Sequence, residues 1–243
     1  MDEFERDEFE QVEPEGLTRR GSLLRLGGIV AAAIGAGSLA KVADSDAAGE
    51  GPAGVASGAV TCVLTPEQTE GPYYIDGERV RGNITEGRPG TPLTLRLKVV
   101  NASNCKPIRG AAVDIWHADA AGVYSGFGAG ASSRTFMRGI QRTNAQGLAI
   151  FRTVYPGWYP GRTVHIHVKV HLGGDVLHTG QLYFPDAVTD SAYRSASYRS
   201  RPARSTRNSS DAIFRNGGGK SLLALRKAAT GYVGSISMGV VRR

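Results

Sequence analysis

Apolar and polar residues alternate along several short stretches of the chain, beginning at Leu93-Thr94-Leu95-Arg96-Leu97-Lys98-Val99-Val100. A period of two sends successive side chains to opposite faces, so this stretch predicts a half-buried β-strand. Turn-forming residues fill 101–107, and Ala111-Ala112-Val113-Asp114-Ile115-Trp116 predicts a second strand. The turn Asn144-Ala145-Gln146 leads into a third, from Gly147 to Val154. From Val164 to Leu172 the alternation returns: Val164, Ile166, Val168 and Val170 share one face, while His165, His167, Lys169 and His171 share the other. Gln181-Leu182-Tyr183-Phe184 ends at Pro185; Ser221 to Ala228 reads as a short helix and Val233 to Val241 as a last strand. Short strands punctuated by Gly and Pro predict an all-β fold, an antiparallel β-sandwich with long loops and little helix.

Charge changes this picture mainly at the two ends. The formal net charge is +7 over 243 residues, but acid crowds the first fifteen positions and base recurs after Asp186, at Arg194, Arg199, Arg201, Arg204 and Arg207. A basic stripe can bind phosphate backbones. Neither a helix-turn-helix nor a zinc-finger nor an RNA-binding pattern accompanies it, so the stripe is expected to be a solvated loop and no nucleic-acid partner is expected. Near the start, Thr18-Arg19-Arg20-Gly21-Ser22-Leu23-Leu24 precedes an uncharged run from Leu26 to Gly37. That run is short for a membrane span, which needs about 20 apolar residues, and has the form of a signal-peptide apolar region. The paired arginines resemble a twin-arginine (Tat) export signal. The resemblance implies the Tat machinery as a partner, an extracellular or cell-envelope location and no stable span after processing; an uncleaved anchor is the alternative. The expected organisation is a leader over 1–48, a flexible linker over 49–60 and one domain over 61–243. In an oxidising compartment an even pair of cysteines suggests a disulfide, here Cys62 with Cys105, against two buried thiols.

His165-Ile166-His167 puts two imidazoles on one strand face, about 7 Å apart along the strand, near enough to converge on one metal ion. Many strands carry surface histidines, so the pair gains meaning from its surroundings. Upstream are Tyr155-Pro156-Gly157-Trp158-Tyr159-Pro160-Gly161-Arg162 and the segment Asp114-Ile115-Trp116-His117-Ala118-Asp119 continuing to Gly122-Val123-Tyr124. With Gly71-Pro72-Tyr73-Tyr74 before them and Gln181-Leu182-Tyr183-Phe184 after, this ordered set resembles the intradiol dioxygenases, the family of catechol 1,2- and protocatechuate 3,4-dioxygenases, over roughly Cys62 to Asp186.

The resemblance implies a mononuclear non-haem Fe(III) ion held by Tyr124, Tyr159, His165 and His167. Phenolate is a hard anionic donor suited to ferric iron, whereas zinc sites favour Cys, His and carboxylate. It further implies that Arg162 stabilises negative charge developing on the substrate, that Gln181 helps position the site, and that Gly71, Pro72 and Tyr73 line the substrate pocket. Tyr159 would act as general base. The substrates implied are a small aromatic diol and O₂, with cleavage between the two hydroxyl-bearing carbons to a muconate-type diacid. Tyr155, Trp158 and Trp116 read as packing, and His117 as a hydrogen-bonding neighbour. A helical N-terminal segment, used for dimerisation by catechol 1,2-dioxygenases, has no counterpart before Cys62, so their dimer is not implied. Two other readings stay open: a secreted transthyretin-like or carbohydrate-binding sandwich without catalysis, and a Cu or Zn enzyme using His165, His167 and His171.

Overall fold

The computed structural model describes residues 62–241 except positions 63, 78, 128 and 129; the leader and linker expected over 1–60 lie outside them. Eight strands form: β1 (Pro92–Asn101), β2 (Ala112–Trp116), β3 (Arg138–Arg142), β4 (Leu148–Val154), β5 (His165–Leu172), β6 (Asp175–Tyr183), β7 (Ala224–Ala228) and β8 (Gly231–Val240). Two short helices, α1 (Asp186–Ala192) and α2 (Ala212–Arg215), lie between β6 and β7. The strands make two four-stranded sheets, ordered β4-β1-β8-β7 and β3-β2-β5-β6.

The alternating pattern explains the core. Leu93, Leu95, Leu97 and Val99 of β1 are buried, as are Ile166, Val168 and Val170 of β5 with Val164 just ahead of it, and they join Val113, Ile115, Phe151 and Ile236 in one cluster. Each such side chain, fully buried, contributes about 1.5–3 kcal/mol. One face of each sheet is thereby committed, which fixes the register of every strand in it.

Several sequence expectations need correction. The sheet containing β1 is mixed: β1 pairs antiparallel with β4 but parallel with β8. Parallel neighbours need a long crossover, and here everything from β2 to β7 forms it. The segment 221–228 is not a helix. A 3₁₀ turn over Gly218–Ser221 leads into β7, which pairs antiparallel with β8, and core contacts of Leu223 and Leu225 override the helical pattern. The polar strand β3 and the helix α1 after Pro185 carry no clear period and are additions. Nor is the basic tail a wholly solvated loop. Arg204, its side chain 4% exposed, pairs with Asp186 and Asp190, and Arg201 donates to the carbonyls of Ala120 and Trp158; Arg194, Arg199 and Arg207 stay exposed. Cys62 and Cys105 are joined by a disulfide. Among the described residues no helix is long and apolar enough to cross a membrane.

Candidate active site

Both faces of β5 are buried at its start, against the half-buried expectation: His165 is 3% and His167 1% exposed. Register assembles the site around them. Across the sheet His167 faces Trp116 on β2 and Gln181 on β6, and His165 faces Tyr183. Trp116 lies flat against His167, ring centroids 4.9 Å apart and planes within 7°. Gly71, at φ +73°, approaches the same imidazole so closely that an added Cβ would stand 3.1 Å from its Cε1.

His165 donates its Nδ1–H to the Thr163 carbonyl at 2.6 Å, which leaves Nε2 unprotonated, as an acceptor. That Nε2 stands 3.1 Å from His167 Nε2 and 3.1 Å from the Tyr159 hydroxyl. Two donors sharing one ion through bonds of about 2.1 Å stand about 3.0–3.4 Å apart. Burial, with the Arg162 charge acting the same way, lowers the His165 pKa to about 3. Burial and the neighbouring His165 push His167 well below the usual histidine range. Both imidazoles are therefore neutral, the form that binds metal.

Tyr159 sits at the end of a turn clamped to the segment that bears Tyr124. Gly157 donates its N–H to the Asp119 carbonyl at 2.9 Å, and a Cβ there would lie 2.5 Å from that same oxygen. Asp119 shapes the Tyr124 segment, its Oδ1 accepting the N–H groups of Ala121 and Val123 while Oδ2 pairs with Arg88. Buried Arg138 of β3 donates to the carbonyl of Ser125, the next residue. Tyr124 stacks on Tyr73 at 4.3 Å and meets Tyr159 edge-on at 5.7 Å. Its buried hydroxyl has the Tyr159 side chain as its hydrogen-bonding neighbour.

Arg162 is held from two sides. Its Nε donates to Asp211 Oδ2 at 2.9 Å and Nη2 donates to Gln181 Oε1, while the Gln181 amide donates to the Thr69 carbonyl at 3.0 Å. Asp211 is absent from the sequence expectations; its position ahead of Ala212-Ile213-Phe214 is the only local signal, that of a helix cap.

The structure thus brings together Gly71, Tyr73, Tyr124, Tyr159, Arg162, His165, His167 and Gln181, with Pro72 at the exposed rim. His117 makes its hydrogen bonds outside the cluster, to the Ala118 carbonyl and to Thr153 Oγ1, both at 2.8 Å. Tyr155 is core, its hydroxyl on Thr189, and Trp158 packs under Arg201. His171 lies beyond a register shift in β5. Among the described residues no three His, Cys, Asp or Glu side chains gather as a metal site, so a centre made of His165, His167 and His171 has no geometric basis. A cavity of about 580 Å³ between Leu64, Leu177, His178 and Val240 shares no residue with the Tyr–His cluster; donor chemistry, not volume, singles the cluster out.

The donor set fits a ferric ion. Burial raises the Tyr124 phenol well above its ordinary pKa, with Tyr159 adding to the shift, and burial also raises Tyr159. Two neutral phenols beside two neutral imidazoles become two anionic hard donors only next to a strongly Lewis-acidic cation.

A family model described as Dioxygenase matches residues 69–199. Catechol 1,2-dioxygenase 1 of Acinetobacter lwoffii is 36% identical over 101 residues, which is 39% of this chain and 32% of that protein. The match therefore spans about a third of that curated relative's length. An intradiol ring-cleavage dioxygenase from Tetranychus urticae superposes with a TM-score of 0.70 at 36% identity, covering 74% of this chain and 95% of its own. The dioxygenase domain of a dioxygenase–carbohydrate-binding fusion from Streptomyces sp. SirexAA-E gives 0.59 at 36% identity, covering 74% and 100%.

Proposed function

The chain belongs to the intradiol ring-cleavage dioxygenase family, and from that premise we propose that it is a non-haem Fe(III) dioxygenase opening catechol-type diols with O₂ between the two hydroxyl-bearing carbons, to muconate-type diacids. One observation carries the reading: Tyr159 Oη and His167 Nε2 each stand 3.1 Å from His165 Nε2, beside the buried Tyr124 phenol. Ferric iron, when bound, supplies the Lewis acidity that ionises both phenols and lets the diol chelate as a dianion.

The protein's own groups divide the remaining work. Tyr124 is buried and stacked, so it serves as a fixed donor. Tyr159 is half-buried on its turn, and its phenolate oxygen takes a proton from an incoming diol hydroxyl, a general-base role. Asp211 and Gln181 fix Arg162 by accepting from its Nε and Nη2. A guanidinium fixed in this way stabilises negative charge building on the substrate. Gly71, Pro72 and Tyr73 wall the diol's approach. Export through the twin-arginine-like leader belongs to the same proposal, supported by a disulfide that suits an oxidising compartment.

The test is colour and product. Protein made with iron should be red-brown from phenolate-to-iron charge transfer, and Tyr124→Phe and Tyr159→Phe should each shift the band. Catechol should give cis,cis-muconate, with label from ¹⁸O₂ in both new carboxylates. A colourless iron-loaded protein would sink the ligand assignment; a yellow semialdehyde product would sink the cleavage mode; a protein that takes up no iron would leave a non-catalytic sandwich.

A further inference from the structure

Asp211 lies in the tail, 49 residues beyond Arg162, yet its side chain is wholly buried. Its carboxylate accepts four N–H groups. Oδ1 takes those of Ile213 and Phe214 at 2.8 and 3.0 Å, the cap of α2. Oδ2 takes the Thr163 N–H at 2.7 Å and Arg162 Nε at 2.9 Å.

Capping alone does not account for such a placement. The helix α2 has four residues and buries none of them, and an exposed Ser, Asn or Asp caps a helix equally well. Burying a carboxylate costs several kcal/mol unless the charge is matched. The match here comes from the segment that feeds β5. Thr163 is held at three points: Asp211 accepts its N–H, Asn208 Oδ1 accepts its hydroxyl at 2.7 Å, and its own carbonyl accepts His165 Nδ1–H at 2.6 Å. A metal-binding imidazole takes its orientation and tautomer from the partner of its other ring nitrogen. Here that partner is a backbone carbonyl, and Asp211 is what secures the backbone.

We propose that Asp211 is a positioning residue for the iron site, a reading that rests on the function proposed above. One buried carboxylate aims the Arg162 guanidinium and, through the Thr163 main chain, the His165 imidazole. It touches neither iron nor substrate.

Asp211→Asn separates this role from capping, because asparagine caps helices as well as aspartate does while losing the charge and presenting an amide where Arg162 and Thr163 need an acceptor. The variant should melt as a folded domain, bind iron about 10–100-fold more weakly, and show a displaced charge-transfer band with weaker binding of a catechol inhibitor. Iron affinity and band within twofold of wild type, with only the melting temperature lowered, would make Asp211 a cap and overturn the proposal. A second measurement needs neither the variant nor iron. In ¹⁵N spectra of metal-free wild-type protein the Arg162 Nε–H and His165 Nδ1–H should exchange slowly with water; rapid exchange of both would overturn the proposal even if Asp211→Asn fails to fold. Wild-type protein without affinity for iron would defeat the functional reading, while these exchange rates would still decide whether Asp211 anchors Arg162 and Thr163.

Discussion

Replacing Gly71 by alanine perturbs the site in two separable ways. The first is backbone strain. At φ +73° an L-residue sits in the left-handed region, at a cost of about 1–2 kcal/mol. For a domain of this size each kcal/mol lowers the melting temperature by about 2–4 °C, so Gly71→Ala should melt about 2–8 °C below wild type. The second is contact. The new Cβ would stand 3.1 Å from His167 Cε1, a few tenths of an ångström inside ordinary van der Waals distance. His167 has little freedom to yield, because Trp116 is stacked on its ring. Functional donors must be held within about 0.5 Å of productive geometry, and we expect a loss of iron affinity of about tenfold, equivalent to about 1.4 kcal/mol. Gly110→Ala is the control: at φ +78° it bears the same backbone strain, and no atom lies within 4 Å of its added Cβ. Thermal unfolding of metal-free protein reads the strain, and iron titration followed in the visible reads the contact. Both variants should melt lower, and Gly71→Ala alone should bind iron more weakly. Equal iron affinity in the two would refute the claim that Gly71 is small for the sake of His167.

Two further predictions concern stability. Burial lowers the His178 pKa to about 4, and His117, also by burial first, to about 4. Between about pH 6.5 and 4 the unfolded chain therefore binds protons that the folded chain refuses, so this stability is complete above pH 6.5 and is lost as the pH falls towards 4. Each such histidine should cost about 2 kcal/mol by pH 5; urea unfolding at pH 7.5 and 5 should show the loss, with His178→Gln shallower, and a flat profile would reject it. Reducing the Cys62–Cys105 bridge, which spans 43 positions, should lower unfolding free energy by about 2–4 kcal/mol. Denaturation midpoints unchanged by reductant, or thiols alkylated without it, would contradict the bond's role.

What was legible in the sequence is what depends on short range. The alternation in Leu93–Val100 and Val164–Leu172 is a property of consecutive residues, because successive side chains on a strand point to opposite faces. It identified the core-facing residues of β1 and β5 and put His165 and His167 on one face. The dense turn around Tyr159 was legible for the same reason, with glycine and proline marking the clamp locally. That the other face of β5 is also buried was not legible. Trp116, Gln181 and Gly71 reach it from three distant segments; strand register sets Trp116 and Gln181 opposite His167, and a turn ahead of β1 brings Gly71 against its ring.

The tertiary structure decided the remainder. Nothing local distinguishes Ala224–Ala228 as a strand from the same residues as a helix; the edge of β8 decides it. The parallel pairing of β1 with β8 joins positions more than a hundred residues apart, and no period within either strand encodes which neighbour it will meet. The tail shows the same limit. Its arginines form a run of like charge in sequence, but in the fold Arg204 finds Asp186 and Asp190, and Asp211 finds Arg162. Hydrophobic period tells a residue which side is inside. The partner of a buried charge is set by where the chain returns in space, and that information is not contained in any window of neighbouring residues.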